Sequence, residues 1–322
     1  MSEKILEAKN LFKTFSLESG FFSKKDKSVY AVNDVSFALN RGETYGIVGE
    51  SGCGKTTTAR LLIRMYEVTS GQVLYYPSAQ NEEALDVSAL KRKELNYFRE
   101  KVKYIFQDPA RSMNPRMDVF SVLVDAFKYS SRRLSRPQMI ELAGKSLHEV
   151  GLAESDLWRR PSEFSGGQRQ RISIARGLIM EPEVLICDEI VSALDVSIQG
   201  QILNLLQEIR EEKKLSFVFI THDLKVACYF ADRIGVMYRG VLVEEAAAAT
   251  LYKDALHPYT RLLFEGAAGR RSESNIEVKS TLAKETGCPF AHRCPYAKEK
   301  CFAELPAFKE IKEGQKVRCH FV

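Results

Sequence analysis

The stretch Gly49-Glu50-Ser51-Gly52-Cys53-Gly54-Lys55-Thr56-Thr57 has the residue types that hold nucleotide phosphates. It fits G-x-x-x-x-G-K-[ST], in which backbone N–H groups cradle the phosphates. Lys55 is placed to reach the β and γ phosphates, and the Thr56 hydroxyl to ligate Mg²⁺. A chance match arises in about one chain in a hundred of this length. A second group is Val184-Leu185-Ile186-Cys187-Asp188-Glu189, four apolar residues followed by two carboxylates. Asp188 suits the Mg²⁺ shell, and Glu189 can polarise an attacking water. A third is Cys288, Cys294, Cys301 and Cys319, spaced C-x5-C-x6-C-x17-C near the C-terminus. Four thiolates in under forty residues suit tetrahedral zinc or an iron–sulfur cluster. Zinc sites usually show tighter pairs such as C-x2-C, and none occurs here, which tilts the reading towards iron. Four free cysteines acting as small hydrophobes are the plain alternative.

The elements needed to position these residues are legible around them. Thr44–Val48 reads as a short buried strand and Thr57–Met65 as a helix, giving the strand–loop–helix context the motif requires. The helix start adds partial positive charge towards the phosphates. Residues 1–46 alternate as strands around a polar loop, Ser19–Lys27. Ser70-Gly71 turns into a strand at Gln72–Tyr76, Ser78–Asn96 is polar and peripheral, and Lys103–Phe106 is another strand. From Pro109 to Pro182 the pattern is helical, clearest over Val119–Tyr129 and Pro137–Val150. Strand patterns return at Val184–Asp188, Ser216–Ile220, Arg233–Met237 and Val241–Glu244, with a helix over Ser197–Lys213. Glu265–Gly287 is polar and small, as a linker would be. Prolines 289, 295 and 306 predict that turns present the tail cysteines.

Composition limits the rest. The 322 residues suffice for one large domain with an appendage. Hydrophobic residues at 45% and charged residues at 28% are ordinary for a soluble globular protein. No apolar run approaches the ~18 residues that span a bilayer. The N-terminal residues Met-Ser-Glu-Lys-Ile-Leu-Glu do not read as a secretory signal. Net charge is +5, the charge of a solvated surface, and no nucleic-acid partner is expected.

Phe164-Ser165-Gly166-Gly167-Gln168-Arg169-Gln170 gives these parts a family. Here the chain resembles the ATP-binding-cassette (ABC) ATPases, whose signature [LF]-S-G-G-Q lies upstream of the carboxylate strand. Serine and glycine N–H groups at a helix start make an anion site. In the family this site contacts the γ-phosphate on a second subunit's P-loop, so that two chains sandwich two ATP molecules. The resemblance implies an α/β P-loop core with an antiparallel β subdomain and a helical subdomain, plus a small Cys-rich C-terminal extension. It makes Gln107 the Q-loop residue, which senses the γ-phosphate and Mg²⁺, and Asp195, in Ser192-Ala193-Leu194-Asp195, the D-loop residue. His222 matches the switch histidine, and Phe15 the adenine-stacking aromatic, with Tyr30 the alternative. One departure is Ile190, where the importer branch usually has proline.

Phe106-Gln107-Asp108-Pro109, Ser192–Ser197, His257-Pro258-Tyr259-Thr260 and the tail are similar to the ATPases of bacterial oligopeptide/dipeptide importers, the second ("F") type above all. That likeness implies Mg²⁺-dependent ATP hydrolysis coupled to peptide import, with nickel or another small solute as the alternative cargo. It also implies a paralogous ATPase, two transmembrane permease subunits, an extracytoplasmic substrate-binding protein and a peripheral place on the cytoplasmic face of the inner membrane. Similar extensions imply a [4Fe–4S] cluster on the tail cysteines, with Zn²⁺ the alternative. The expected division is a cassette over 1–264 (helical subdomain about 109–182), a linker over 265–287 and a metal-binding extension over 288–322. A DNA-repair cassette would need a longer insertion after Pro109, and a translation-associated one a second cassette.

Overall fold

The structure, a computed structural model, describes residues 3–17, 27–77, 83–267 and 286–322. The strands β1 (Lys4–Leu17) and β2 (Lys27–Asn40) come first. Next are the wholly buried β3 (Thr44–Val48), the helix α1 (Lys55–Leu62), β4 (Ser70–Tyr75) and β5 (Leu85–Asp86). α2 (Arg92–Lys101) leads into β6 (Val102–Ile105). Then come α3 (Pro109–Ser112), α4 (Val119–Val124), α5 (Arg136–Glu149) and α6 (Gly166–Leu178). β7 (Val184–Asp188), α7 (Val196–Lys213) and β8 (Ser216–Thr221) follow. α8 (Leu224–Phe230), β9 (Arg233–Tyr238), β10 (Val241–Ala247), α9 (Ala248–Lys253) and α10 (Pro258–Ala267) come after them. The tail adds α11 (Glu299–Ala303), β11 (Lys309–Lys312) and β12 (Gln315–Val317). Among the described residues no helix is long and apolar enough to cross a membrane.

These elements fall into two compact units. The P-loop unit takes Leu6–Ala38, Thr44–Ser88 and Ile220–Val322, and the signature unit takes Leu39–Glu43 and Ala89–Phe219 with the chain start up to Ile5. In the P-loop unit β1 pairs antiparallel with β4, Leu6 opposite Tyr75, within a four-stranded sheet ordered β2-β1-β4-β5. A second set of strands runs β11-β12-β10-β9-β3. There β3 lies parallel to β9, Ile47 opposite Gly235, and β10 returns antiparallel, Leu242 opposite Met237. The parallel strand is buried along its whole length, as a strand covered on both faces requires.

In the signature unit β6 runs parallel to β7, Tyr104 opposite Ile186, and β8 lies beside β7. The helices α3 to α6 occupy the stretch before β7. α6 starts at Ser165, whose hydroxyl accepts the Gln168 N–H at 3.3 Å while the Gln168 side chain accepts the Ser165 N–H at 3.0 Å. This reciprocal box satisfies two of the donors a helix start leaves open. It fixes where the signature segment becomes helical.

Local differences from the sequence reading have plain causes. α1 begins at Lys55, two residues early, because Gly54 turns left-handed and starts it. The helix α2 begins inside the stretch read as polar and peripheral, Ser78–Asn96, and runs past its end. Only Phe98 on it is buried, so one anchor rather than an apolar stripe holds it. The expected loop Ser19–Lys27 falls, apart from its last residue, outside the described residues, and so does most of the linker 265–287.

Candidate functional site

In the P-loop unit, β3 delivers Gly49 at φ 155°, where a Cβ would lie 2.1 Å from the Met237 carbonyl oxygen. Gly54 stands at φ 107°, where a Cβ would lie 2.2 Å from the Ala31 carbonyl oxygen. Any side chain at either position collides with backbone, so the loop requires glycine there. Lys55 is buried at 4% exposure, and its ammonium donates to the Gly49 and Glu50 carbonyls at 2.8 and 3.0 Å. Burial pushes the Cys53 thiol up, leaving it a neutral wall of the loop. Ser51 and Gly52 are exposed, and Thr56 and Thr57 are half-buried on the first turn of α1.

Glu50 is held through both its backbone and its side chain. Its N–H donates to the Tyr259 hydroxyl at 3.0 Å. Its carboxylate accepts both terminal nitrogens of Arg293, at 2.8 and 3.0 Å. Phe15, on β1, is half-buried, with Tyr66 edge-on at 5.5 Å and the Lys13 ammonium 5.1 Å from its ring. His222 is exposed at the end of β8, just before Asp223, whose carboxylate caps α8 by accepting the Lys225 N–H at 2.8 Å.

In the signature unit the buried run of β7 carries Asp188 inward at 3% exposure, and the Tyr104 hydroxyl donates to its carboxylate at 2.5 Å. Glu189, half-buried, takes the left-handed φ of 49°. Residues in such conformations cost about 1–3 kcal/mol and persist where the surroundings impose them. Proline at the next position would push Glu189 towards extended backbone, and Ile190 imposes no such restriction. The Gln107 side-chain N–H donates to Glu189 at 3.0 Å, joining the expected Q-loop residue to the expected catalytic carboxylate. Gly166 and Gly167 form the first turn of α6, and exposed Asp195 precedes α7.

Gln107 and Glu189 are therefore brought together, whereas the P-loop and His222 belong to the other unit. Tyr104, Tyr259 and Arg293 were not anticipated as site residues. Tyr104 read as an ordinary strand residue. Tyr259 sat in a segment noted only for its likeness, and Arg293 stood between cysteines that drew attention to themselves.

The tail requires a correction. Among the described residues no group of three or more His, Cys, Asp or Glu side chains is arranged to hold a metal ion, so neither a [4Fe–4S] cluster nor zinc is supported on Cys288, Cys294, Cys301 and Cys319. All four are free and line the wall of a cavity of about 540 Å³ together with Phe290 and His320. Burial raises the Cys288 thiol to about 11 and raises Cys294 as well. Cys288 and Cys294 pack against the apolar core of the unit, as small hydrophobes do.

The tail packs on the apolar core of its unit. Phe290, 1% exposed, meets Tyr238 and Tyr259 at ring distances of 5.4 Å. Turns alone do not present the cysteines, since Cys301 sits on α11.

Comparison with known proteins accounts for both regions. Residues 32–192 match the "ABC transporter" family, and residues 243–301 match "Oligopeptide/dipeptide transporter, C-terminal region". The chain is 42% identical over 328 residues to the oligopeptide transport ATP-binding protein AppF of Bacillus subtilis, covering 99% of this chain and 97% of that one. It is 39% identical to OppF of Haemophilus influenzae, covering 98% and 97%. The dimeric cassette MJ0796, one structure of which holds ADP and Pi after hydrolysis, superposes with a TM-score of 0.64 at 27% identity. That match covers 76% of this chain and 99% of MJ0796. With the P-loop, the carboxylate strand and the signature helix each in place, the chain belongs to the ABC transporter family of ATPases.

Proposed function

We propose that this chain is the ATP-hydrolysing subunit that powers import of peptides through a partner transmembrane channel. The observation that carries this reading is the 42% identity to an oligopeptide transport ATP-binding protein across 99% of the chain. The match of residues 243–301 to a region characteristic of such transporters supports it.

The roles follow from chemistry. Phe15 stacks on adenine, and Gly49, Glu50, Ser51, Gly52, Cys53, Gly54, Lys55, Thr56 and Thr57 enclose the phosphates. The clashes that exclude a Cβ at Gly49 and Gly54 support that reading, because they bring bare backbone to the loop surface. Thr56, Gln107 and Asp188 would hold Mg²⁺; these hard oxygen donors, few in number, suit an ion that keeps phosphates and water as its other ligands. When bound, the ion neutralises charge building on the phosphate oxygens. Glu189 takes a proton from the attacking water, with Gln107 orienting it, and His222 donates to the γ-phosphate. Ser165, Gly166, Gly167 and Gln168 serve the ATP on an opposing subunit, and Asp195 lies at that seam.

The chain divides into a cassette over 1–264, a linker over 265–287 and an extension over 288–322. Its partners are a paralogous ATPase, two permease subunits and an extracytoplasmic substrate-binding protein, and it sits peripherally on the cytoplasmic membrane face. Reconstitution of these components in proteoliposomes tests the reading. Peptide-loaded binding protein should stimulate phosphate release and drive peptide uptake. Stimulation by nickel or another small solute in place of peptide would transfer the cargo to that class. Full turnover without any membrane component would refute an importer altogether.

A further inference from the structure

The tail reaches back into the nucleotide site. Arg293 lies 243 residues beyond Glu50, on a short 3-10 turn, Ala291–Arg293, between Cys288 and Cys294. It grips the only carboxylate within 49–57. The grip is two-pronged, and the Arg293 side chain is only 12% exposed against 42% for Glu50. The guanidinium also sits 5.8 Å from the rings of both Tyr238 and Phe290, so a cassette ring and a tail ring hold it. Its Nε is buried without a hydrogen-bond partner, a cost that the fork on Glu50 and the ring contacts offset. The Glu50 bond dominates in holding the guanidinium charged. Meanwhile Tyr259, the second residue of α10, fixes the N–H of the same Glu50, and Lys55 holds its carbonyl. Every polar group of Glu50 is thus held, two of them by residues beyond position 258.

We propose that Arg293 is a positioning residue of the nucleotide site: through Glu50 it holds the phosphate-binding loop in its binding shape and neutralises the one negative charge within it. The inference rests on the reading of this loop as the ATP site. Two effects follow from the geometry. A loop already held in place loses less freedom when phosphates dock, so ligand affinity rises. A carboxylate beside phosphate repels it, and a forked guanidinium removes that repulsion in a way a point charge does so less fully. Both effects act on binding rather than on the attack of water, because Arg293 acts through Glu50, which takes no part in that chemistry. The tail therefore sets ATP affinity without contributing a group to the chemistry.

The test is Mg·ATP affinity of the full chain, read with a fluorescent nucleotide, and the split of KM from kcat in the assembled complex. Arg293→Ala should weaken binding about three- to tenfold, a typical loss for a partly buried forked pair, and raise KM likewise while kcat holds. Arg293→Met keeps the apolar stem against the two rings and should show the same loss, which serves if the alanine variant folds poorly. Adding Glu50→Gln to Arg293→Met removes the unmasked charge and should recover much of the affinity. Unchanged affinity in both Arg293 variants, or a double variant no better than the single one, overturns the proposal. Wild-type chain that binds no Mg·ATP overturns the nucleotide reading beneath it as well. Wild-type binding with insensitive variants overturns this inference alone.

Discussion

Glu189→Gln separates chemistry from binding. Gln107 donates to Glu189 at 3.0 Å, and a glutamine carbonyl can accept the same bond. The exchange turns a charge-assisted bond into a neutral one at a half-exposed pair, costing about 1 kcal/mol of stability at most. The left-handed φ of 49° strains glutamine and glutamate alike, so it adds nothing to the difference. In a chain of this size that loss lowers Tm by no more than about 4 °C. The lost carboxylate, by contrast, removes a general base worth about 10²–10⁴ in rate, which is about 3–5 kcal/mol of barrier. Turnover should therefore collapse while the fold stays and Mg·ATP still binds. Phosphate release is measured in the assembled complex with the matching substitution in the partner ATPase, and nucleotide affinity on the chain alone. Turnover near wild type would refute the assignment, and parallel loss of affinity would show that Glu189 holds nucleotide rather than water.

Gly54→Ala should destabilise the chain more than Gly52→Ala, because a Cβ at 54 meets Ala31 backbone at 2.2 Å whereas nothing lies within 4 Å at 52. Both carry the positive-φ strain of about 1–3 kcal/mol, so equal melting temperatures for the two variants would contradict the clash. The isolated chain should hydrolyse ATP poorly and gain activity on mixing with its partners, since each site needs a signature segment from an opposing subunit; full activity in a strictly monomeric sample would contradict shared sites. Burial pushes His257 down to about 3 from an ordinary 6.5, so the folded chain keeps it neutral where the unfolded chain takes up a proton. Its contribution to stability is complete above pH 6.5 and falls as pH drops towards 3, by about 2 kcal/mol between pH 8 and pH 5. His257→Asn should flatten that part of the Tm–pH curve, and an unchanged slope would place the acid sensitivity elsewhere.

The parts of the site assigned to phosphate were legible because their chemistry leaves little choice of residue. Backbone approach demands glycine at 49 and 54, and a fully buried parallel strand demands the run Val184–Cys187 before its acids. Spacing also gave β3 to the residue, while the start of α6, where Ser165 and Gln168 complete a local box, came with the signature resemblance. What escaped was whatever depends on distant pairing. No local pattern ties Arg293 to Glu50 or Tyr104 to Asp188, since those bonds exist only once the strands and the tail are packed. α2 escaped because one phenylalanine anchors it, which leaves no periodicity to read. The tail cysteines misled for a related reason. Their number and spacing suggested ligands, while the packing of Cys288 and Cys294 against Phe290 and the core is invisible in sequence.

The pairing of β12 with β10 carries a last consequence. Val241–Ala246 are all buried, and Glu244 and Glu245 of β10 stand opposite Val317 and Lys316 of β12. Remove β12 and β10 becomes the border of its sheet, presenting open N–H and C=O groups along a strand whose Val241, Leu242, Val243 and Ala246 are apolar. Such edges recruit strands from other chains. Nascent chains would face the same exposure until β12 is made, so its pairing closes the period in which this edge can recruit other strands. Trimming the tail to obtain a tidier cassette should yield aggregates rather than a minimal ATPase.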